Sequence, residues 1–341
     1  MGIEVQWPSK RPIQNHREYF SPPEQYQVAH MRSLEIFSGA GGLAKGLELA
    51  GFHHAAFVEF NKHACASLAA NFKAEKVFFG DIKDFSLDSI GEVDVVAGGP
   101  PCQPFSLGGR HLAQQDSRDM FPYAIRAIEK LTPKAFVFEN VKGLLRPSFS
   151  EYFDYILLRL TYPGFRAKSS IQWPEHLAQL RAVKKIPYTG VRYEVNFKLL
   201  NAADYGVPQT RERVVIVGVR ADLGHHWSFP APTHSEDSLL WDMHITGVYL
   251  KKHGIASSES LPMDFSLDDK VQRIKERYGF FEPQHQAWIT IRDALAGVPN
   301  PKGDHGISDH IFKDGARSYA GHTGSDFDWP AKTIKAGGHG V

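Results

Sequence analysis

Three stretches of the sequence gather the side chains that can do covalent chemistry. Cys102 stands in Gly98-Gly99-Pro100-Pro101-Cys102-Gln103-Pro104-Phe105-Ser106, directly after the apolar run Val93-Asp94-Val95-Val96-Ala97. The run reads as a short buried strand. Glycines and prolines then stop regular structure, because proline has no N–H and restricts the residue before it. The thiol is thereby presented on a loop just past a strand end. A buried core position is the commoner fate of a free thiol, but it suits a cysteine inside an apolar run better than one between Pro-Pro and Gln-Pro. Glu139 closes the apolar strand Ala135-Phe136-Val137-Phe138, a position where partial burial favours a carboxyl that holds its proton; a helix-capping acid is the alternative. Gln209-Thr210-Arg211-Glu212-Arg213 has arginines at alternate positions, which face one way in a strand, or else form a solvated charged turn. A nucleophilic thiol and a proton-donating carboxyl suit one reaction. The thiolate adds to an electron-poor ring carbon, the acid protonates a ring nitrogen, and the activated neighbouring carbon takes an electrophile.

A second set of residues points to a cofactor. Gly39-Ala40-Gly41-Gly42-Leu43-Ala44 fits the G-x-G-x-x-(G/A) turn, and Glu59 stands where an acid holds a ribose hydroxyl pair. Such a turn lets a ligand approach backbone N–H groups at a helix start, and it is equally a tight strand-to-helix connection. With Glu59 and Asp81 it favours an adenosine-bearing cofactor. Phe60 is placed either to stack on an adenine or to pack in the core. Metal chemistry is disfavoured: the 17 histidines include no H-E-x-x-H, and neither cysteine lies in C-x-x-C.

The elements that must position these groups follow from the hydrophobic pattern. Between Arg32 and Arg220, strands at 34–37, 55–58, 76–79, 93–97 and 135–138 alternate with helices at 43–50, 62–71, 119–131 and 149–160. This alternation predicts an α/β fold with a doubly wound, mostly parallel sheet. Ligands sit outside the carboxyl ends of such strands. Those ends carry Ser38 to Gly42, Glu59, Gly80-Asp81, the cysteine loop and Glu139-Asn140, so all five converge on one rim. An irregular basic segment is expected over 166–192, then two neighbouring strands at 193–199 and 214–219. After Leu223 proline, glycine and histidine become frequent and periodicity weakens, with helices suggested only at 271–278 and 290–296. A boundary near 222–232 divides a smaller irregular domain, 223–341, from the catalytic domain, 31–222; residues 1–30 read as an arm.

Composition narrows the class of protein. Lys plus Arg number 39 against 38 acids, so net charge neither demands nor excludes a nucleic-acid partner. Two cysteines exclude a disulfide framework and favour a reducing compartment. The first 20 residues lack the apolar core of a secretory signal, and no apolar run approaches a membrane span. The expectation is a cytoplasmic protein with no membrane partner.

In order along 31–220, FSGAGG (Phe37-Ser38-Gly39-Ala40-Gly41-Gly42), the acid of VEF (Glu59), GDI (Gly80-Asp81-Ile82), GGPPCQPFS, DSR (Asp116-Ser117-Arg118), FENV and QTRER resemble the DNA cytosine-5 methyltransferase family, of the bacterial restriction-modification type. The resemblance implies S-adenosyl-L-methionine as cofactor and duplex DNA as substrate, in a nucleoid-associated bacterial setting. Cys102 would attack C6 of a flipped cytosine, Glu139 would protonate N3, and C5 would take the methyl group. Arg213 would contact the base, with Gln209 and Arg211 supporting the catalytic loop. Phe37 to Gly42, Glu59, Phe60, Asp81, Ile82 and Pro101 would frame the cofactor. The target carbon is inaccessible within a duplex, so the base must be flipped. The segment after 222 would be the target-recognition region, where Arg317-Ser318-Tyr319 and Gly321-His322-Thr323-Gly324 are either DNA contacts or an ordinary loop. The family's later helix-bearing and Asn-containing motifs are not visible before Val341. The expectation is a split enzyme completed by a second polypeptide, or a truncated chain, inactive alone in either case. The rivals are a tRNA cytosine-5 methyltransferase, an NAD-dependent oxidoreductase resting on the glycine turn and Glu59, and a non-catalytic DNA-binding subunit.

Overall fold

The computed structural model describes residues 31–101, 119–168, 170–184, 186–256, 265–307, 310–312 and 324–333, with the backbone alone for 265–267. The loop bearing Cys102, with Gln103 to Arg118, lies outside them, as do residues 1–30, 313–323 and 334–341.

Five apolar runs become parallel strands: β1 (Arg32–Ile36), β2 (His53–Glu59), β3 (Val77–Phe79), β4 (Val95–Gly98) and β5 (Ala135–Val141). Later come β6 (Tyr193–Asn201), the two-residue β7 (Gln209–Thr210) and β8 (Glu212–Arg220). The main sheet runs β3-β2-β1-β4-β5-β8-β6, with β8 antiparallel to β5. The strand order reverses direction between β1 and β4, and a crevice at such a switch point is where open α/β sheets bind ligands. Helices α1 (Gly42–Leu49), α2 (Lys62–Asn71), α3 (Phe121–Leu131), α4 (Ser150–Thr161) and α5 (Trp173–Val183) fill the connections. The strands read as continuous apolar runs because both faces are covered. Phe136, Phe138, Ile36 and Leu34 are fully buried in the principal core, each side chain contributing about 1.5–3 kcal/mol.

The chain folds as two compact units. The first comprises the described residues of His16–Leu199 together with Arg213–Phe229. The second joins Leu200–Glu212 to the described residues of Pro230–Val341. It contains α6 (Glu236–His244), α7 (Val248–His253), α8 (Phe265–Tyr278), α9 (Ile291–Leu295) and the two-residue strands β9 (His234–Ser235), β10 (Gln286–Ala287) and β11 (Ala331–Lys332). Its cores gather Leu239, Met243, Tyr249 and Trp288, and Leu240, Trp241 and Ile274.

Two sequence expectations need correction. The segment 166–192 is not irregular throughout, because α5 runs from Trp173 to Val183. Pro174 starts it, His176, Leu177, Leu180 and Val183 turn inward, and Arg181 holds Asp154 of α4 through two N–H bonds of 2.9 and 2.6 Å. Charges on its outer face mask that apolar stripe in the sequence. The region after 223 also holds two helices beyond those expected, α6 and α7. Ser235 caps α6 by accepting the Ser238 N–H at 3.1 Å.

Candidate active site

The first turn shows why its glycines are there. Phe37 takes φ 52°, Gly39 φ 53° and Gly41 φ 90°. A left-handed phenylalanine is uncommon enough to mark a constrained site. A Cβ on Gly41 would fall 2.7 Å from the Phe72 ring and 2.9 Å from Leu68, whereas one on Gly39 would meet nothing within 4 Å. The turn is therefore packed on its helix side and open at Gly39. Glu59, 7% exposed at the end of β2, stitches the turn to its own strand. Its Oε2 accepts the Gly39 N–H at 2.8 Å, and its Oε1 accepts the Phe60 and Asn61 N–H groups at 3.0 and 2.8 Å. Two donors fill the lone pairs of Oε1, so Oε2 retains one acceptor site for a ligand hydroxyl. Asn61 then caps α2, its Oδ1 accepting from the His63 and Ala64 N–H groups. Phe60 is 68% exposed, which rules out the core-packing alternative. Asp81 is half-exposed, pairs with Lys83 at 3.7 Å and precedes the buried Ile82.

Across the switch point, β4 ends in Gly98, paired with Ile36 of β1 and Phe138 of β5. A Cβ there would sit 1.8 Å from the Ile36 carbonyl oxygen, so only glycine permits this approach. The polypeptide leading to Cys102 is anchored on both sides. Asn140 donates through Nδ2 to the Pro100 carbonyl at 2.9 Å, and the Met120 N–H donates to the Pro101 carbonyl at 3.1 Å. Asp119 accepts the Tyr152 hydroxyl and the Phe121 N–H, the latter at 3.1 Å, fixing the start of α3.

Glu139 projects beside this segment, its Oε2 3.5 Å from the place a Cβ on Gly99 would occupy. Arg213 lies opposite Val141 on β8, a diagonal neighbour of Glu139, and its Nε pairs with Glu139 Oε1 at 2.6 Å. The structure therefore brings Glu139, Arg213 and Pro101 onto the same rim as the glycine turn. Gln209 and Arg211 belong to the other compact unit. The stretch 209–213 is not one continuous strand. Arg211 falls between β7 and β8, its N–H donated to Asn201 Oδ1 at 3.0 Å and its carbonyl taken by the Ala202 N–H at 3.0 Å.

Cys65, in α2, is a buried thiol whose Sγ donates to the Glu59 carbonyl at 3.3 Å. Burial, then the Glu59 charge, push its pKa up, so it has the marks of a structural cysteine. Sequence reasoning gave no role to Asn61, Asn140 or Asn201. Their proximity to Glu59, Glu139 and QTRER was the available signal. Among the described residues no group of three or more His, Cys, Asp or Glu is placed to hold a metal, and no helix is long and apolar enough to cross a membrane.

A doubly wound sheet with a glycine turn after β1, a buried acid after β2 and an acid–arginine pair after β5 places these polar groups around its switch point. The model of the C-5 cytosine-specific DNA methylase family matches residues 31–173 and 179–281, well over half of the chain, and the chain belongs to that family. The Type II methyltransferase M.NgoMIV of Neisseria gonorrhoeae is 36% identical over 211 residues, covering 62% of this chain and 59% of that protein. M.AquIA of Picosynechococcus sp., also a Type II methyltransferase, is 36% identical over 231 residues, 64% of this chain and 84% of that one. A crystal structure of a putative DNA modification methyltransferase encoded within an E. coli prophage aligns with TM-score 0.47 and 22% identity, over 79% of this chain and 56% of that one. The chain thus spans about three-fifths of the length of M.NgoMIV.

Proposed function

We propose that this protein methylates C5 of a cytosine flipped out of a specific duplex DNA sequence, through a covalent adduct between Cys102 and C6, in a restriction-modification setting. The observation that carries the reading is the Glu139–Arg213 pair, 2.6 Å apart and beside the anchored Pro100-Pro101 segment. S-adenosyl-L-methionine supplies an electrophilic methyl group when bound. The residues present fit it: an open approach at Gly39, the remaining acceptor site on Glu59 Oε2 for a ribose hydroxyl, and the exposed Phe60 ring for the adenine. Ser38, Ala40, Gly42, Asp81, Ile82 and Pro101 complete the proposed frame.

In the reaction, the Cys102 thiolate forms a bond to C6 while Glu139 delivers a proton to N3, so the ring's electron pair becomes available at C5. Arg213 holds the Glu139 carboxyl in register with the ring and bears on the base itself. C5 takes the methyl group as the methyl–sulfur bond breaks; loss of the C5 proton to water then expels the thiolate from C6, and N3 returns its proton to Glu139. Gln209 and Arg211 support the cysteine loop. Base flipping is required because a stacked cytosine hides C5 and C6. The partner in this reading is duplex DNA. The family match displaces the NAD-dependent oxidoreductase reading. Tritiated methyl transfer to duplex DNA, run beside tRNA, tests the substrate class, and label entering tRNA alone overturns it.

A further inference from the structure

We infer that Asn201 and Thr333 are positioning residues that brace the Gln209–Arg211 main chain from two sides, an inference that rests on the function proposed above. The need for a brace is physical. β7 is two residues long, and a ladder that short does not hold itself. Long side chains such as Gln209 and Arg211 act reproducibly only when the backbone that launches them is fixed.

On one flank, Asn201 Oδ1 accepts the N–H of Arg211 at 3.0 Å and that of Ala203 at 3.4 Å. The same side chain thereby caps the short helical turn Ala202–Tyr205 and grips Arg211. The Ala202 N–H takes the Arg211 carbonyl at 3.0 Å, so both main-chain polar groups of Arg211 are held by Asn201 and its neighbour.

On the other flank, β11 lies parallel to β7 with Ala331 opposite Gln209 and Lys332 opposite Thr210. The Ala331 N–H donates to the Pro208 carbonyl at 2.9 Å. The Thr210 hydroxyl donates to the Ala331 carbonyl at 3.2 Å, and the Thr333 hydroxyl donates to the Thr210 carbonyl at 2.7 Å. The hydroxyls of Thr210, in β7, and of Thr333, just after β11, extend a two-residue ladder that would otherwise end there. Residues more than 120 positions later in the chain therefore fix the segment that carries two of the proposed functional side chains. Neither Asn201 nor Thr333 needs to touch substrate for this.

The test uses steady-state methyl transfer on duplex DNA, with melting temperature and amide exchange of Arg211 measured on the same preparations. Asn201→Ala and Thr333→Val remove the grip, whereas Asn201→Asp and Thr333→Ser keep an acceptor or hydroxyl in place. The expected result is about a tenfold fall in kcat for the first pair, the scale of one lost hydrogen bond. The KM for S-adenosyl-L-methionine should stay unchanged, and melting should shift by no more than about 3 °C. The second pair should recover to within about threefold. Arg211 amide exchange should accelerate about tenfold in both disrupting variants. Unchanged kcat per folded molecule, or a loss of melting temperature that accounts for the whole effect, overturns the inference. A wild-type chain that transfers no methyl group counts against the proposed function, and Arg211 exchange unmoved by either disrupting variant still overturns the brace.

Discussion

Gly98→Ala puts the geometry of the switch point under direct load. Its new Cβ would fall 1.8 Å from the Ile36 carbonyl oxygen and 2.9 Å from the Ile36 carbonyl carbon, where real Cβ contacts stay beyond 3.0 Å. Backbone cannot swing aside as a flexible side chain can. β1 and β4 must therefore separate by about 1.2 Å at the Ile36–Gly98 pair, out of a normal spacing of roughly 4.7–4.9 Å. Overpacking of this kind costs about 1–3 kcal/mol, and a weakened ladder bond adds about 1 kcal/mol. A total near 2–4 kcal/mol corresponds to a drop of roughly 10 °C in Tm for a domain of this size. The control is Gly42→Ala, whose Cβ meets nothing within 4 Å; it should melt within about 3 °C of wild type. Differential scanning calorimetry of the three proteins decides. Gly98→Ala melting with wild type would show that β1 and β4 are not in this contact. Cofactor titration on the folded fraction should also weaken, because the two strand ends carry the glycine turn and the Pro100-Pro101 segment.

Three further outcomes follow from the same structure. Glu139→Gln removes the carboxyl that delivers a proton to N3, and single-turnover methyl transfer should fall at least about 100-fold with DNA affinity held within a few-fold; transfer at the wild-type rate would remove Glu139 from the reaction. In Cys102→Ser protein the remaining thiol is Cys65, buried with a raised pKa, so Ellman's reagent at pH 7.5 should label it about 100-fold slower in native buffer than after denaturation, and comparable rates would contradict its burial. For Asp293 and Asp328, burial pushes the carboxyls up. Hydrogen bonds from Lys252 and Thr290 to the first, and from Arg292 and Tyr249 to the second, more than offset this and hold both below the usual range. A folded pKa below the unfolded value of about 3.9 gives stability that is present above that pH and lost as pH falls through the folded pKa. Asp328→Asn should therefore flatten the acid limb of the stability curve below about pH 4, and an unchanged limb would refute the sign.

Much of the sheet-bearing unit was legible because its physics is local. Apolar runs of four or five residues ending in glycine or an acid gave β1 to β5, and α2 fell at the expected 62–71. The rim assembly followed from topology alone, since parallel strands share a carboxyl end. What escaped was what depends on distant partners. α5 hides its apolar stripe under Arg181 and other charges, and α6 depends on cores shared with Tyr278 and Trp329. The break at Arg211 between β7 and β8 coincides with two distant partners, β11, more than a hundred residues on, and Asn201, which accepts the Arg211 N–H. Glu59 was legible as an acid closing β2, but not its three backbone donors, because hydrogen-bond partners are set by how the turn closes.

Covalent trapping on duplex DNA that carries 5-fluorocytosine at the target position, in the presence of S-adenosyl-L-methionine, tests the central claim most directly. Fluorine at C5 cannot leave as a proton does, so the enzyme stalls with its thiol on C6. The wild-type protein, with any polypeptide that co-purifies with it, should give a denaturation-resistant adduct, and Cys102→Ala should give none. An adduct that survives Cys102→Ala, or methyl transfer with no adduct in the wild type, would contradict the account.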